Sequence, residues 1–333
     1  DNRSWYSTER NLNRLAADLA ENYDDYDVRE EVLAVVRELV ADRGGFERVH
    51  VGVESSDLID ERTCRLVVLS PQLSHVSQAT QSKALDESQN LLNQRGSSPR
   101  IYRNMLIFLA ADQTRYTDLD RAMRLEMAWR SITNEHLDSD SKRRQAKQQH
   151  ESARTTVLSR IPETYCWMIV PTQESPDADE TMNSIRLQSS SGLAQRAFQR
   201  LEREGQITSQ WAGTVMRLEM DKIPLWRGKN EVEIPMLLDD FASYLYLTRV
   251  VNEQVILGAI EQGLTNPVWY KETFAYADSL DDQENRYVGL RSSGGLVLSA
   301  GLVVHPDAAQ RQMREEEEEV REKDPIPKGP DTP

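Results

Sequence analysis

The 333-residue sequence contains only two cysteines, Cys64 and Cys166, and both lie within apolar runs. Free cysteine is commonly a small buried hydrophobic residue, so no disulfide framework is expected and a cytoplasmic protein is the natural interpretation. No apolar run approaches the roughly 18 residues of a membrane-spanning helix, and no signal peptide is visible. We therefore expect no membrane partner.

Positive charge is also scarce, since the formal net charge is −15 and only eight of the 40 basic residues are lysines. Non-specific binding to nucleic acid depends on basic surface, so the overall balance argues against it. The exception is the segment 142–160, in which Glu151 is the only acidic residue. This segment predicts either a contact with DNA or an acidic partner, or simply a solvated helical arm. The candidate contact residues are Lys142, Arg143, Arg144, Lys147 and Arg154.

The usual catalytic motifs are missing. The single Gly-Lys pair, Gly228-Lys229, is followed by Asn230 where a phosphate loop has serine or threonine, and Ile223 stands where the first glycine belongs. None of the five histidines pairs with another at the spacing of zinc ligands, so no metal site is expected from histidine. This chain is therefore expected to bind no cofactor by itself and to be non-catalytic.

The most informative stretch of the chain runs from Arg100 to Ile132. Seven apolar residues end on Asp112, and an amphipathic helix follows. The pattern predicts a buried strand that places a carboxylate at the edge of a sheet, as in nucleotide-hydrolysing α/β proteins. Asp112 could hold Mg²⁺ there, but an aspartate between a strand and a helix more often caps the helix.

A second hypothesis for Asp112 combines it with Asp57 and Asp60, which lie in a loop between two predicted strands. Clustered carboxylates can bind a metal ion for phosphodiester chemistry. A metal-dependent nucleic-acid-processing enzyme is therefore an alternative function, and it requires the three side chains to meet. The opposing interpretation of the loop is a solvated surface segment.

The order of apolar runs predicts an α/β fold, with a mostly parallel sheet covered by helices. We expect strands at 49–53, 65–69, 105–111 and 165–170. The α/β domain then occupies residues 1–175, with a long helical insertion at about 117–160, and a helical connection follows at 176–222.

Residues 223–306 predict a second module. A short strand precedes two helices, and ETFAYAD with NRYVGLR predicts a β-hairpin before a last strand. This is a winged-helix-like α+β order. Because Ile234 to His305 contains four basic and nine acidic residues, a structural or protein-contact role is favoured over DNA reading. Residues 307–333 are charged and then proline-rich, which predicts a short helix and a linker.

Several long motifs occur in a defined order along the chain. They are TERNLNRL, RLVVLSP, RNMLIFLAADQTRYTDLDRAMRLEMAWRSI, TYCWMIVPTQ, KIPLWRGKNEVEIPMLLDDFASYLYLTRV, ETFAYAD with YVGL, and GLVVHPDAAQRQ. In this order they resemble the C-terminal half of the large AAA+-type ATP-binding proteins called domain of unknown function 499, which are similar to the PglY-like proteins of phage-defence islands. The resemblance covers nearly the whole chain.

The resemblance implies that the parent protein is an ATPase that uses ATP and Mg²⁺, with its phosphate loop upstream of this chain. It implies an accessory region that couples nucleotide state to other defence-system proteins or to DNA. It carries over no catalytic residue to a position of this sequence. A pure protein-interaction scaffold remains a further alternative.

Overall fold

The computed structural model describes residues 2–79, 81–135, 137–188, 192–223, 225–292, 297 and 300–323. The chain forms two compact units. The first contains residues 1–207 together with 244–249, and the second contains 208–243 and 250–333.

The first unit combines a five-stranded sheet with six helices among its described residues. The helices are α1 (Asn2–Asn22), α2 (Asp25–Leu39), α3 (Lys83–Asn93), α4 (Gln113–Asn134), α5 (Asp140–Thr164) and α6 (Leu193–Arg203). The strands of the sheet are β1 (Arg48–Val51), β2 (Arg65–Val68), β5 (Leu106–Ala110), β6 (Trp167–Thr172) and β7 (Thr181–Arg186). A two-residue hairpin pairs β3 (Gln94–Arg95) with β4 (Ser98–Pro99).

The sheet has the strand order β1-β2-β5-β6-β7. Its first three strands are parallel, whereas β6 and β7 join antiparallel. The α/β fold class is thus confirmed, but the sheet is mixed and has one more strand than the four predicted. Strand β7 escapes prediction because its side chains are exposed or half-buried, so it lacks the apolar run of a central strand.

The predicted helical insertion is a packed hairpin. Helices α4 and α5 run side by side, and α1 packs against α4. Small residues allow the close approach, because Ala128, Ala146 and Ala153 are buried in a common core with Trp129 and Ile132. The described residues of 75–82 form a loop, and helix α3 begins after Ser82, whose hydroxyl accepts a hydrogen bond from the Leu85 N–H.

Three buried arginines hold loops of the first unit together. Arg249 donates to the carbonyls of Asn104 (2.6 Å) and Pro171 (2.8 Å), Arg100 to that of Leu91 (2.7 Å), and Arg196 to that of Pro162 (2.8 Å). A guanidinium group suits this role because it carries five donors in a fixed plane. Segment 244–249 therefore belongs to the first unit although its neighbours in sequence belong to the second.

The second unit is α+β. Its helices are α7 (Gly213–Lys222), α8 (Ile234–Ser243), α9 (Glu253–Leu264), α10 (Trp269–Glu272) and α11 (Pro306–Lys323). Its strands are β8 (Glu231–Glu233), β9 (Ala275–Ala277), β10 (Ser279–Asp281), β11 (Arg286–Val288) and β12 (Leu302–Val304). An antiparallel sheet has the order β8-β12-β9, so the strand within ETFAYAD pairs with β12. The hairpin joins β10 to β11, and an isolated bridge between Tyr276 and Arg291 links ETFAYAD to NRYVGLR.

The second unit begins earlier than the predicted boundary at residue 223. Helix α7 packs against α9, and a Cβ atom added to Gly213 would lie 2.5 Å from the Cα atom of Gly263. Only glycine permits this crossing, so α7 belongs to the second unit rather than to a separate connection. Residues 306–323 form helix α11, in which the Gln312 side chain bonds both the N–H and the carbonyl of Tyr287 at 2.7 Å. Residues 324–333 lie outside the described part of the chain.

In the described residues, no helix combines the length and the apolar character needed to cross a membrane. Cys64 and Cys166 are both buried and free, as their apolar sequence contexts predict. Burial raises the pKa of the Cys64 thiol to about 11, which keeps it protonated and unreactive at neutral pH.

We predict that replacing Arg249 by leucine destabilises the first unit by about 3 kcal/mol, because the carbonyls of Asn104 and Pro171 would remain buried without a donor. Urea unfolding followed by tryptophan fluorescence measures this loss. The same substitution at exposed Arg95 is the control and should change the unfolding free energy by less than about 0.5 kcal/mol. Equal effects at both positions would contradict the structural role of Arg249.

Candidate functional site

Asp112 is the cap of helix α4. Its Oδ1 atom accepts hydrogen bonds from the backbone N–H groups of Thr114 (3.0 Å) and Arg115 (3.2 Å), and its Oδ2 accepts one from the indole of Trp167 at 3.0 Å. Burial alone would raise the pKa of Asp112, but these hydrogen bonds, together with that of the Thr114 hydroxyl, lower it overall. Both oxygens are thus engaged in structural bonds, as the capping interpretation predicts.

His75 completes this buried corner. Its N–H donates to the Ala111 carbonyl (2.8 Å) and its carbonyl accepts from Gln113 (3.0 Å), so the loop clamps the strand end on both sides of Asp112. The His75 ring lies 5.0 Å from the Trp167 ring, and its Nδ1 atom lies 2.9 Å from the Ser82 hydroxyl. Burial lowers the pKa of His75, although the Asp112 carboxylate opposes that shift. His75 and Asp112 are buried and Ser82 is half-buried, so these three side chains pack together as part of the corner.

Asp57, Asp60 and Asp112 do not form one site. Asp60 accepts hydrogen bonds from the N–H groups of Ile101 (2.8 Å) and Tyr102 (3.2 Å), which precede strand β5, whereas Asp112 follows it. The five residues of β5 span roughly 16 Å, so these two carboxylates lie near opposite ends of this strand. Asp57 is exposed in the loop. The described residues contain no group of three His, Cys, Asp or Glu side chains placed to hold a metal ion. The geometric requirement of the nuclease hypothesis is not met.

The Gly228-Lys229 pair forms a tight turn. Arg227 and Gly228 both have positive φ angles, and the Lys229 N–H donates to the Trp226 carbonyl at 2.8 Å. Strand β8 follows this turn, whereas a phosphate loop opens a helix whose N-terminus faces the phosphates. The turn therefore offers no nucleotide cradle.

The basic residues of helix α5 are largely paired with acidic side chains of the same unit. Lys142 contacts Asp138 (3.4 Å), Arg143 contacts Asp140 (3.2 Å), and Arg154 contacts Glu38 (2.7 Å). Arg144 and Lys147 are exposed and have no ion-pair partner in the described part of the chain. Two cations one turn apart are a small patch compared with the several phosphate contacts that nucleic-acid binding needs.

The hairpin and the second long helix of the second unit carry little free positive charge. Helix α9 contains Glu253 and Glu261 and no basic residue. On the hairpin, Arg286 pairs with Glu316 (3.2 Å) and Glu319 (3.3 Å), and Arg291 pairs with Asp278 (2.8 Å). The arginines of the hairpin region are therefore neutralised within the unit itself.

A cleft of about 520 Å³ in the second unit is the best remaining candidate for a binding site. It lies along strand β8, between the turn at 225–229 and the hairpin strand β10. Its apolar lining is Leu225, Trp226, Val232, Pro235, Met236, Leu280, Ala300, Gly301 and Leu302. Its charged lining is Arg227, Lys229, Glu231, Glu233, Asp278 and Asp282.

Some of the charged groups in the cleft already have partners. Arg227 bonds both oxygens of buried Asp240, at 2.7 and 2.9 Å. Glu231 accepts a hydrogen bond from the Tyr287 hydroxyl at 2.9 Å, and burial together with this bond raises the pKa of Tyr287. Glu233 and Asp282 are exposed and form no ion pair with any described residue. The cleft thus presents unneutralised negative charge around an apolar floor.

Sequence reasoning did not identify this cleft. The local sequence feature that points to the cleft is the alternation Glu231-Val232-Glu233 in a short strand. This alternation predicts two carboxylates on one face of the sheet. Hairpin residue Asp282 joins them only through tertiary structure, which no local pattern predicts. Comparisons with protein-family models, curated proteins and solved structures found no match for the chain.

We predict that Asp112→Ala lowers the free energy of unfolding by about 2 kcal/mol, because helix α4 loses its cap and the Trp167 indole loses its acceptor. Asp112→Asn retains an oxygen for the cap and should lose about half as much. Thermal unfolding with and without millimolar Mg²⁺ measures both effects. Stabilisation of the wild-type chain by Mg²⁺ that disappears in Asp112→Ala would contradict a purely structural role.

We also predict that the His75 environment makes stability depend on pH. The folded pKa of His75 lies below its unfolded value of about 6.5, so the neutral ring stabilises the fold fully above that pH. Stability is then lost as the pH falls from about 6.5 towards the folded pKa. Urea unfolding at pH 7.5 and 5.5 should show a smaller pH effect for His75→Gln than for the wild-type chain. An identical pH effect in both would contradict the assignment.

Proposed function

We propose that this chain is a non-catalytic protein-interaction region of an AAA+-type ATP-binding protein that serves an anti-phage defence or DNA-modification system. The ordered motifs that resemble the domain of unknown function 499 support its place in such a parent protein. The parent uses ATP and Mg²⁺ through residues outside this chain, and this region couples the nucleotide state to partner proteins.

The second unit is a winged-helix module in this proposal. Its elements follow the order α7, β8, α8, α9, α10, β9, the β10-β11 hairpin, β12 and α11, and its sheet has the order β8-β12-β9. In winged-helix proteins that bind DNA, the second helix of the pair enters the major groove and needs cations that meet phosphates. Here the corresponding helix is α9.

The single observation that carries the proposal is the charge of this module. Helix α9 has no basic residue, and the hairpin arginines Arg286 and Arg291 are engaged with acidic side chains. Bringing such a surface to DNA would cost the repulsion of its glutamates and would release few counterions. A protein partner requires neither cations nor a groove-reading helix, so this module contacts protein.

Non-specific DNA-binding proteins have dissociation constants of roughly 1 to 100 μM. We predict that the chain binds a fluorescein-labelled 30-base-pair duplex more weakly than this range, with a dissociation constant above about 100 μM. Fluorescence anisotropy at 50 and 200 mM salt measures this. The variant Glu253→Lys/Glu261→Lys provides a comparison, because it places cations on α9. Tight, salt-dependent binding by the wild-type chain would contradict the proposal.

DNA binding through helix α5 is the second candidate, since Arg144 and Lys147 are exposed without ion-pair partners in the described residues. Replacing both residues by glutamate would then abolish any duplex binding that the wild-type chain shows.

Reciprocal capture between the chain and purified proteins of the same defence system tests the favoured proposal directly. Phosphate release from ATP by the chain alone would contradict its non-catalytic assignment.

A further inference from the structure

We propose that the cleft beside β8 binds an extended, basic segment of a partner protein, which adds a strand to the open edge of β8 and places an aliphatic side chain on the cleft floor. This inference rests on the proposed protein-interaction function and specifies the chemistry of the partner. Three features of the cleft carry it: a strand edge, an apolar floor and unneutralised carboxylates.

Strand β8 has backbone groups available for pairing. Two backbone hydrogen bonds flank its pairing with β12. The Ile234 N–H donates to the Gly301 carbonyl (2.9 Å), and the His305 N–H donates to the Asn230 carbonyl (2.7 Å). Hydrogen-bonded and non-hydrogen-bonded residue pairs alternate along an antiparallel strand pair, and Glu231 and Glu233 fall in the non-hydrogen-bonded pairs. Their backbone N–H groups therefore point away from β12. Strand β8 is the last of its sheet, and no strand of the described residues pairs with it on that side. An extended peptide can therefore continue the sheet.

The floor of the cleft provides apolar contact for one or two side chains. Met236 is 41% exposed, and Leu280 and Pro235 are half-buried beside it. Side chains of an added strand alternate in direction, so every second residue of the peptide would face this floor. The volume of about 520 Å³ lies within the range of roughly 300 to 1,000 Å³ that is usual for small-ligand pockets.

Charge decides which peptide fits. Among the described residues, Glu233 and Asp282 form no ion pair, and Glu231 accepts a hydrogen bond from the neutral Tyr287 hydroxyl. Against these three carboxylates the cleft offers one unpaired cation of the described residues, Lys229. A lysine or arginine of the partner would meet these carboxylates at the cleft rim. An acidic segment would meet repulsion there.

The same charges disfavour the other occupants of a strand edge. A second copy of the chain, paired through its own β8, would place Glu231 and Glu233 opposite the same glutamates of its partner. Like charges directly opposite each other destabilise a strand pair. Nucleic acid would meet the same repulsion. The edge is thus protected against self-association while it remains open to a basic strand.

A fluorescein-labelled decapeptide that alternates valine and lysine is the probe, and the full chain is titrated into it by anisotropy. We predict saturable binding, whereas a valine-glutamate decapeptide of the same length does not bind. The double variant Glu233→Lys/Asp282→Lys should bind the probe about tenfold more weakly, because two attractive contacts become repulsive.

The matched control is Glu317→Lys/Glu318→Lys, which changes the net charge equally at two exposed positions on helix α11. This variant should bind the probe within about twofold of the wild-type chain, since only long-range screened charge changes. Equal losses in both double variants would mean that the peptide responds to net charge alone, and would overturn the site. Circular dichroism confirms that both variants remain folded.

Two further readouts test the strand addition itself. A probe N-methylated at alternate residues cannot donate to β8 and should lose most of its binding. The methyl resonance of Met236, assigned through Met236→Leu, should shift on addition of the unmodified probe. Unchanged binding of the methylated probe, or an unshifted Met236 signal at saturation, would overturn the proposal.

The experiment separates this inference from the function on which it rests. If a defence-system protein captured by the wild-type chain binds Glu233→Lys/Asp282→Lys equally well, the cleft is not its site, and the protein-interaction function stands. Tight binding of the chain to duplex DNA would instead count against the function, whatever the peptide does.

Discussion

Strand β5 is the element on which the first unit depends. All five of its residues are buried, and strands β2 and β6 pair with it on its two sides. The strand ends at Asp112, whose carboxylate starts helix α4 and also accepts the Trp167 indole from the neighbouring strand β6. One buried side chain thus fixes the direction in which the long helical hairpin leaves the sheet. The loop at His75 closes the same corner from the other side.

This arrangement explains why a carboxylate at the end of a strand is not evidence of chemistry by itself. A catalytic or metal-binding carboxylate must keep at least one oxygen available to a ligand, and both oxygens of Asp112 accept hydrogen bonds. The hydrogen bonds outweigh the burial and lower its pKa, so the group remains charged and serves as a fixed acceptor. Its ionised state stabilises the fold rather than a reacting species.

The sequence predicted the elements whose signals are local. The apolar run at 105–111 predicts β5 almost to the residue, because a strand whose residues are all buried leaves a continuous apolar pattern. Strand β7 has no such pattern, since it is a partly exposed edge strand stabilised by its pairing with β6. The buried role of Arg249 was equally hidden, because arginine is normally a surface residue.

The candidate site was less predictable than the fold for the same reason. The turn at 225–229, strand β8 and the hairpin that carries Asp282 are separated along the chain, and only the β8-β12 pairing and the packing of the hairpin bring their side chains to one cleft. The basic segment of α5 is a different case. Its local charge is real, but Asp138, Asp140 and Glu38 neutralise much of it in the folded chain.

Charge is distributed unevenly over the surface of the second unit. Its hairpin arginines are neutralised by Asp278 and by helix α11, whereas Glu233 and Asp282 of the cleft have no ion-pair partner among the described residues. Because these arginines pair with acidic groups of the same unit, they are not available to bind phosphate. The unpaired carboxylates lie instead beside the open edge of strand β8. Because like-charged edges repel, the same feature that admits a basic partner also prevents two copies from joining at β8.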